Sequence, residues 1–307
     1  MLEVKDLHVN YGAVHALNGI SLHVDDGEIV SLIGANGAGK TTTLRMLATL
    51  IRPDSGDALV DGASILSQPE DVRTKIGFLT SELKLEEFFT PNYLFDFFSE
   101  LHQVPPALRD QRKKTLFQRF GIQQFAEVKV ANLSTGMKQK ASLAISLVHD
   151  PQIVIFDEPT NGLDPAGIQE MRNLLRHLAH NAGVSVLVSS HILQEMQLMC
   201  DTVGIISNGA LLQVADVEEL ISRSKSNTYR YILRPLDRAA ELLRTYLPDR
   251  VLEITGDHVD LRITEEEIAT VNRRLMENDV VILGLTPVGQ SLEQSFMELT
   301  GGGNIIG

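Results

Sequence analysis

Gly34-Ala-Asn-Gly-Ala-Gly-Lys40-Thr41 is a glycine, four residues, then Gly-Lys-Thr, the pattern of a phosphate-binding loop. Each residue type has a task in that chemistry. Gly34, Gly37 and Gly39 let the backbone fold tightly enough for its N–H groups to point at phosphate oxygens. Ala35, Asn36, Ala38 and Thr42 complete the cradle. Lys40 would reach the β- and γ-phosphates, and the Thr41 hydroxyl would ligate Mg²⁺. The motif needs a strand before it and a helix after it. Glu28-Ile-Val-Ser-Leu-Ile33 reads as the buried strand, and Thr42-Thr-Leu-Arg-Met-Leu-Ala-Thr-Leu50 as the helix. The helix N-terminus adds the positive end of its dipole.

Two further clusters bear on the same chemistry. Ile153-Val-Ile-Phe156-Asp157-Glu158 is an apolar strand ending in two carboxylates. Asp157 stands where the second Mg²⁺-linked acid of a phosphate-loop enzyme belongs. Glu158, one step on, stands where a carboxylate can polarise an attacking water. Leu133-Ser134-Thr135-Gly136-Met137 precedes that strand by about twenty residues and opens a helix. Ser134 and the backbone around Gly136 make another anion site at a helix N-terminus. Alone, such a segment is an ordinary helix cap; lying between two phosphate elements, it reads as a third. His177 and His180 are three apart on one helix, yet no third metal ligand stands nearby.

Period and punctuation outline the elements that hold these residues. Residues 2–9 and 19–24 read as strands, with Asp25-Asp26-Gly27 as a turn. Residues 57–60 and 76–79 are further strand pieces, and the stretch from about 88 to 130 is mainly helical, broken at Pro105-Pro106 and Gly121. A helix follows over 135–148. Asp164-Pro165 opens another, with Asp as N-cap and Pro in the first turn. Residues 184–188 form a strand, and 203–206 with 210–214 a hairpin turning at Asn208-Gly209. The polar run Ser222–Asn227 reads as a linker. Beyond it the predicted order is strand 229–233, helix 236–246, strands 251–254 and 259–263, a helix opened by the Thr264–Glu267 capping box, strand 280–285 and a last helix 291–299. The βαββαβ order predicts a small ferredoxin-like domain.

Composition narrows the classes. A chain of 307 residues suggests about two domains. A net charge of −13 argues against a nucleic-acid partner. Cys200 is the only cysteine, so no intramolecular disulfide forms. The first ten residues alternate like a strand and predict no signal peptide. No stretch approaches the ~20 apolar residues of a membrane span.

Together these motifs resemble the ATP-binding cassette (ABC) ATPase family over residues 1 to about 222. The resemblance implies an α/β phosphate-loop fold of the ABC nucleotide-binding type, with a helical insert at about 83–150. Residues 34–41 match Walker A. Ile153–Glu158 matches Walker B, with Glu158 as the catalytic glutamate. Leu133–Met137 is similar to the signature, with Thr135 and Met137 where the family has Gly and Gln. Asn161-Gly-Leu-Asp164 resembles the D-loop, His191 the switch histidine, and Tyr11 the aromatic that stacks on adenine. The Q-loop glutamine is missing: Ser81 or Glu82 stands in its place. The end, Ser291-Leu-Glu-Gln-Ser-Phe-Met-Glu-Leu-Thr300, resembles ATPase subunits of sodium-efflux and daunorubicin-resistance exporters.

The family implies ATP and Mg²⁺, with Thr41 and Asp157 on the metal and Glu158, His191 and Lys40 in catalysis. It implies a second cassette, whose Ser134 and Gly136 close over the γ-phosphate, and a separate membrane permease. The expected place is the cytoplasmic face of the cell membrane. Residues 223–307 form an accessory domain. A non-transport ABC ATPase is the alternative, but translation-factor types carry two cassettes and DNA-maintenance types a long coiled coil. A regulatory module without turnover is a third reading, against which Glu158 and His191 argue.

Overall fold

A computed structural model of the chain describes residues 1–12, 14–80, 85–223 and 228–288, the last three residues of the third stretch by their backbone alone. The chain divides into two compact units, Met1–Val217 and a second beginning at Glu218.

The first unit is built from two sheets. β1 (Leu2–Tyr11) and β2 (Val14–Val24) pair antiparallel from Leu2↔Val24 to Tyr11↔Val14. Both strands run longer than their alternation alone predicts, because the ladder continues through bulges to the hairpin tip. With β4 (Ser55–Val60) and β5 (Ala63–Ser64) they form a sheet of order β2-β1-β4-β5. The other sheet has six strands, in the order β10-β9-β3-β8-β7-β6. Its members are β3 (Ile29–Ile33), β6 (Ile76–Leu79), β7 (Ile153–Asp157), β8 (Ser185–Ser190), β9 (Thr202–Ser207) and β10 (Ala210–Asp216). All neighbours run parallel except the β9–β10 hairpin. β3 and β7 are buried throughout, as central parallel strands must be when both faces are covered.

α1 (Lys40–Leu47) follows β3 and buries Leu44, Met46 and Leu47 in one core with Leu7, Ile20, Leu32 and Ile155. That burial holds the loop between β3 and α1 from both ends. α2 (Pro69–Lys75) leads into β6. α3 (Pro91–Leu101), α4 (Pro106–Phe120) and α5 (Thr135–Ser146) make the helical insert. Pro106 starts α4, and Gly121 at φ 65 ends it. α5 stops two residues short of the predicted end. α6 (Pro165–His180) is capped by the Asp164 carboxylate, which accepts from the Gly167 N–H at 2.9 Å. α7 (Leu193–Met199) follows β8. His180 Nε2 lies 3.0 Å from an Asp201 carboxylate oxygen, which pairs the end of α6 with the residue before β9.

α8 (Val217–Arg223) takes in Ser222 and Arg223, the first two residues of the run that the sequence predicts as a linker; Val217 and Leu220 are buried along it. In the second unit β11 (Thr228–Arg234), α9 (Leu236–Tyr246), β12 (Val251–Thr255), β13 (His258–Arg262), α10 (Glu265–Glu277) and β14 (Val281–Pro287) keep the βαββαβ order. The sheet order is β12-β13-β11-β14 with all neighbours antiparallel, the ferredoxin-like arrangement. Tyr231, Leu243, Val259, Leu261, Val271 and Leu275 form its own core. The Thr264 N–H donates to the Glu267 carboxylate at 2.9 Å, completing the capping box. The predicted helix at 291–299 lies outside the described residues.

Candidate functional site

The phosphate loop runs from the buried end of β3 into α1. Gly39, at φ 110, is the N-cap of α1, and a Cβ there would lie 2.7 Å from the Leu17 side chain and 3.0 Å from the Ala16 carbonyl. Only glycine fits that approach without a shift. The Lys40 ammonium curls back over the loop and donates to the carbonyls of Gly34 at 2.7 Å and Ala35 at 3.2 Å. Burial draws this ammonium below its usual range, and the Glu158 and Asp157 carboxylates act in the opposite direction.

β7 delivers the acids. Asp157, its last residue, is buried and accepts from the Thr41 hydroxyl at 3.0 Å on both oxygens. Ser189 on β8 donates to Asp157 Oδ1 at 2.6 Å and accepts from the Glu158 N–H at 3.0 Å. One buried hydroxyl therefore registers both acidic residues. Glu158 itself has φ 56, a conformation that a glutamate holds only under restraint from its surroundings. Its carboxylate lies 3.8 Å from Lys40 Nζ on one oxygen and 2.7 Å from His191 Nδ1 on the other. A hydroxyl and a carboxylate side by side are hard oxygen donors, the set that suits Mg²⁺. Thr41 and Asp157 thus fit that ion, while no cluster of three or more His, Cys, Asp or Glu occurs among the described residues.

Asn36, Gly37, Gly39, Lys40, Thr41, Thr42, Glu158 and His191 line one cavity of about 540 Å³. Ser134, Gly136 and Asp164 line a separate one of about 470 Å³. There Ser134 caps α5 by accepting from the Met137 N–H at 3.3 Å. Tyr11 sits at the tip of the β1–β2 hairpin, half exposed, and does not line the first cavity. Ser81 and Glu82 lie outside the described residues.

Sequence reasoning missed His15 and Ala16 on β2, Ser189, and the Asn208-Gly209 turn, although the turn itself was predicted. Asn208 and Gly209 have φ 49 and 76 and line the first cavity. The Gly209 N–H donates to Ala38 of the phosphate loop at 2.9 Å, and its carbonyl accepts from Asn18 at 2.8 Å. The turn braces the loop from behind. Its Asn-Gly pair signals a hairpin, but nothing local says where the hairpin lands.

Residues 17–161 match the ABC transporter family. Over 307 residues the chain is 31% identical to the bacitracin transport ATP-binding protein BcrA of Bacillus licheniformis, covering 99% of each. The chain belongs to the ABC transporter ATP-binding subunits. It is also 29% identical to the daunorubicin resistance ATP-binding protein DrrA3 of Streptomyces coeruleorubidus, covering 98% of this chain and 96% of that one. A solved ATP-binding subunit of an ABC transporter superposes with a TM-score of 0.66 at 30% identity, covering 73% of this chain and 92% of that chain. This protein is accordingly an ABC transporter ATPase with an added C-terminal antiparallel sheet.

Proposed function

We propose that this chain powers an ABC exporter from the cytoplasmic face of the cell membrane, and that two copies close over ATP and reopen after hydrolysis. The observation that carries the hydrolytic reading is the Glu158 carboxylate, held between Lys40 at 3.8 Å and His191 at 2.7 Å. Glu158 orients a water and takes its proton as the water oxygen bonds the γ-phosphorus. The bond from that phosphorus to the bridging oxygen breaks, and ADP leaves with the electron pair. Lys40 stabilises charge on the phosphate oxygens, and His191 contacts the γ-phosphate while holding Glu158 in place. Mg²⁺, held by Thr41 and Asp157, would neutralise phosphate charge.

Ser134 and Gly136 line a different cavity from Lys40, so a single chain does not offer both anion seats to one phosphate. Two copies facing each other would, with the γ-phosphate binding them together. Tyr11 then stacks on adenine. The exposed Phe88, Phe89, Tyr93, Phe97 and Leu101, on and just before α3, form an apolar strip that suits a separate membrane permease. Export is supported by the bacitracin transport and daunorubicin resistance relatives. The accessory region from residue 223 on regulates or strengthens pairing of the cassettes.

Glu158→Gln tests the reading. ATP binding stays, turnover slows by roughly 10²–10⁴-fold, and an ATP-dependent dimer accumulates on size-exclusion chromatography. Near-normal turnover would remove Glu158 from the catalytic role.

A further inference from the structure

One stretch of backbone separates the two cavities. Asn161 lines the first with Glu158, and Gly162, Leu163 and Asp164 line the second with Ser134 and Gly136. Gln139, just over one turn along α5 from Ser134, bridges to that stretch. Its Nε2 donates to the Asn161 carbonyl at 3.1 Å, and the Asn161 N–H donates to the Glu158 carbonyl at 3.1 Å. Gln139 Oε1 is buried and has no hydrogen-bond partner among the described residues. Turning the amide over would set that oxygen against the Asn161 carbonyl, so the orientation is determined. The next residue, Lys140, pairs with Glu170 at 2.5 Å, tying the same helix to α6, which follows the stretch. Glu158 has a strained backbone, with Ser189 restraining its N–H and Asn161 its carbonyl. Its carboxylate direction is therefore sensitive to both.

We propose that Gln139 is a positioning residue that links the Ser134 end of α5 to Glu158. When a second copy seats its bound nucleotide against Ser134, α5 shifts, Gln139 carries the Asn161 backbone with it, and Glu158 is aligned in its own site. Hydrolysis at one site then depends on closure at the other. The inference rests on the closed-dimer reading above.

The full-length chain tests it with three variants. Gln139→Met keeps length and loses the donor, Gln139→Glu turns the donor into an acceptor, and Gln139→Lys restores a donor of similar reach. Turnover and its Hill coefficient in ATP are measured beside fluorescent-ATP affinity of the dilute monomer and the melting temperature. In Gln139→Met and Gln139→Glu, kcat should fall about tenfold, the kinetic equivalent of one hydrogen bond. The Hill coefficient should fall toward one, with monomer affinity and melting temperature unchanged. Gln139→Lys should recover most of kcat. Unchanged kcat and cooperativity in Gln139→Met overturn the proposal alone. Equal loss in all three, with lowered melting temperatures, overturns it in favour of packing. Non-cooperative turnover in the unsubstituted protein overturns the closed-dimer reading and this inference together.

Discussion

Gly209→Ala probes the brace behind the phosphate loop. The added Cβ would lie 2.7 Å from the Ala16 carbonyl oxygen and 3.0 Å from its carbon, both backbone atoms that cannot rotate away. Forcing a methyl into that space costs about 1–3 kcal/mol. The φ of 76 adds about 1–2 kcal/mol for an alanine, offset by about 0.4–1 kcal/mol from the stiffer unfolded chain. The sum is about 1–5 kcal/mol, or roughly 2–20 °C in melting temperature for a unit of this size. Gly121→Ala is the control: its φ is 65, but no atom lies within 4 Å of the new Cβ. It carries only the φ cost and the same offset, about 0–1.6 kcal/mol, or at most about 6 °C. Differential scanning calorimetry of both variants separates close approach from backbone strain. A nucleotide titration well below melting should show weakened ATP binding only in Gly209→Ala, because that turn holds Ala38. If the two variants melt within about 2 °C of each other and bind ATP alike, the turn is no brace.

Lys40→Ala should weaken ATP binding to the monomer, whereas Ser134→Ala should leave it intact and abolish the ATP-dependent dimer; equal loss of monomer affinity in both contradicts two half-sites. Burial, reinforced by the stacked His102 ring at 4.1 Å, pushes the His149 imidazole down to about 4. The unfolded chain takes up that proton near about 6.5, so the unfolded state binds more protons between about pH 6.5 and 4, and stability falls as pH falls through that window. His149→Gln, which keeps a donor for the Ile76 carbonyl, should flatten that slope in denaturant titrations followed by circular dichroism; an unchanged slope places the titration elsewhere. Truncation after Ile221 should leave a folded chain that binds ATP with altered self-association, and failure to bind nucleotide at all would mean that the second unit contributes to the site.

The phosphate loop was legible in the sequence because its chemistry is local. Consecutive backbone N–H groups, one lysine and one helix N-terminus lie within residues 34–42, so spacing alone identifies them. Asp157 and Glu158 were legible for a related reason: an apolar parallel strand delivers its last residues to the carboxyl end of the sheet, where ligands bind in open α/β folds. The second unit's order was legible because each element buries one face at its own period, and Tyr231, Val259 and Leu261 do so.

What tertiary structure alone decided are the contacts between segments far apart in the chain. Thr41 meets Asp157 across 116 residues, and Ser189 reaches Asp157 across 32. A serine amid an apolar strand carries no local sign that it will register two carboxylates. His15 lines the cavity beside the phosphate loop while Tyr11 stands at the exposed hairpin tip, because the β1–β2 ladder and its bulges set where each side chain falls. The Asn208-Gly209 pair encodes its turn through the positive φ values it tolerates, but its place behind Ala38 follows from β9 pairing with β3, a register written in no short stretch of sequence.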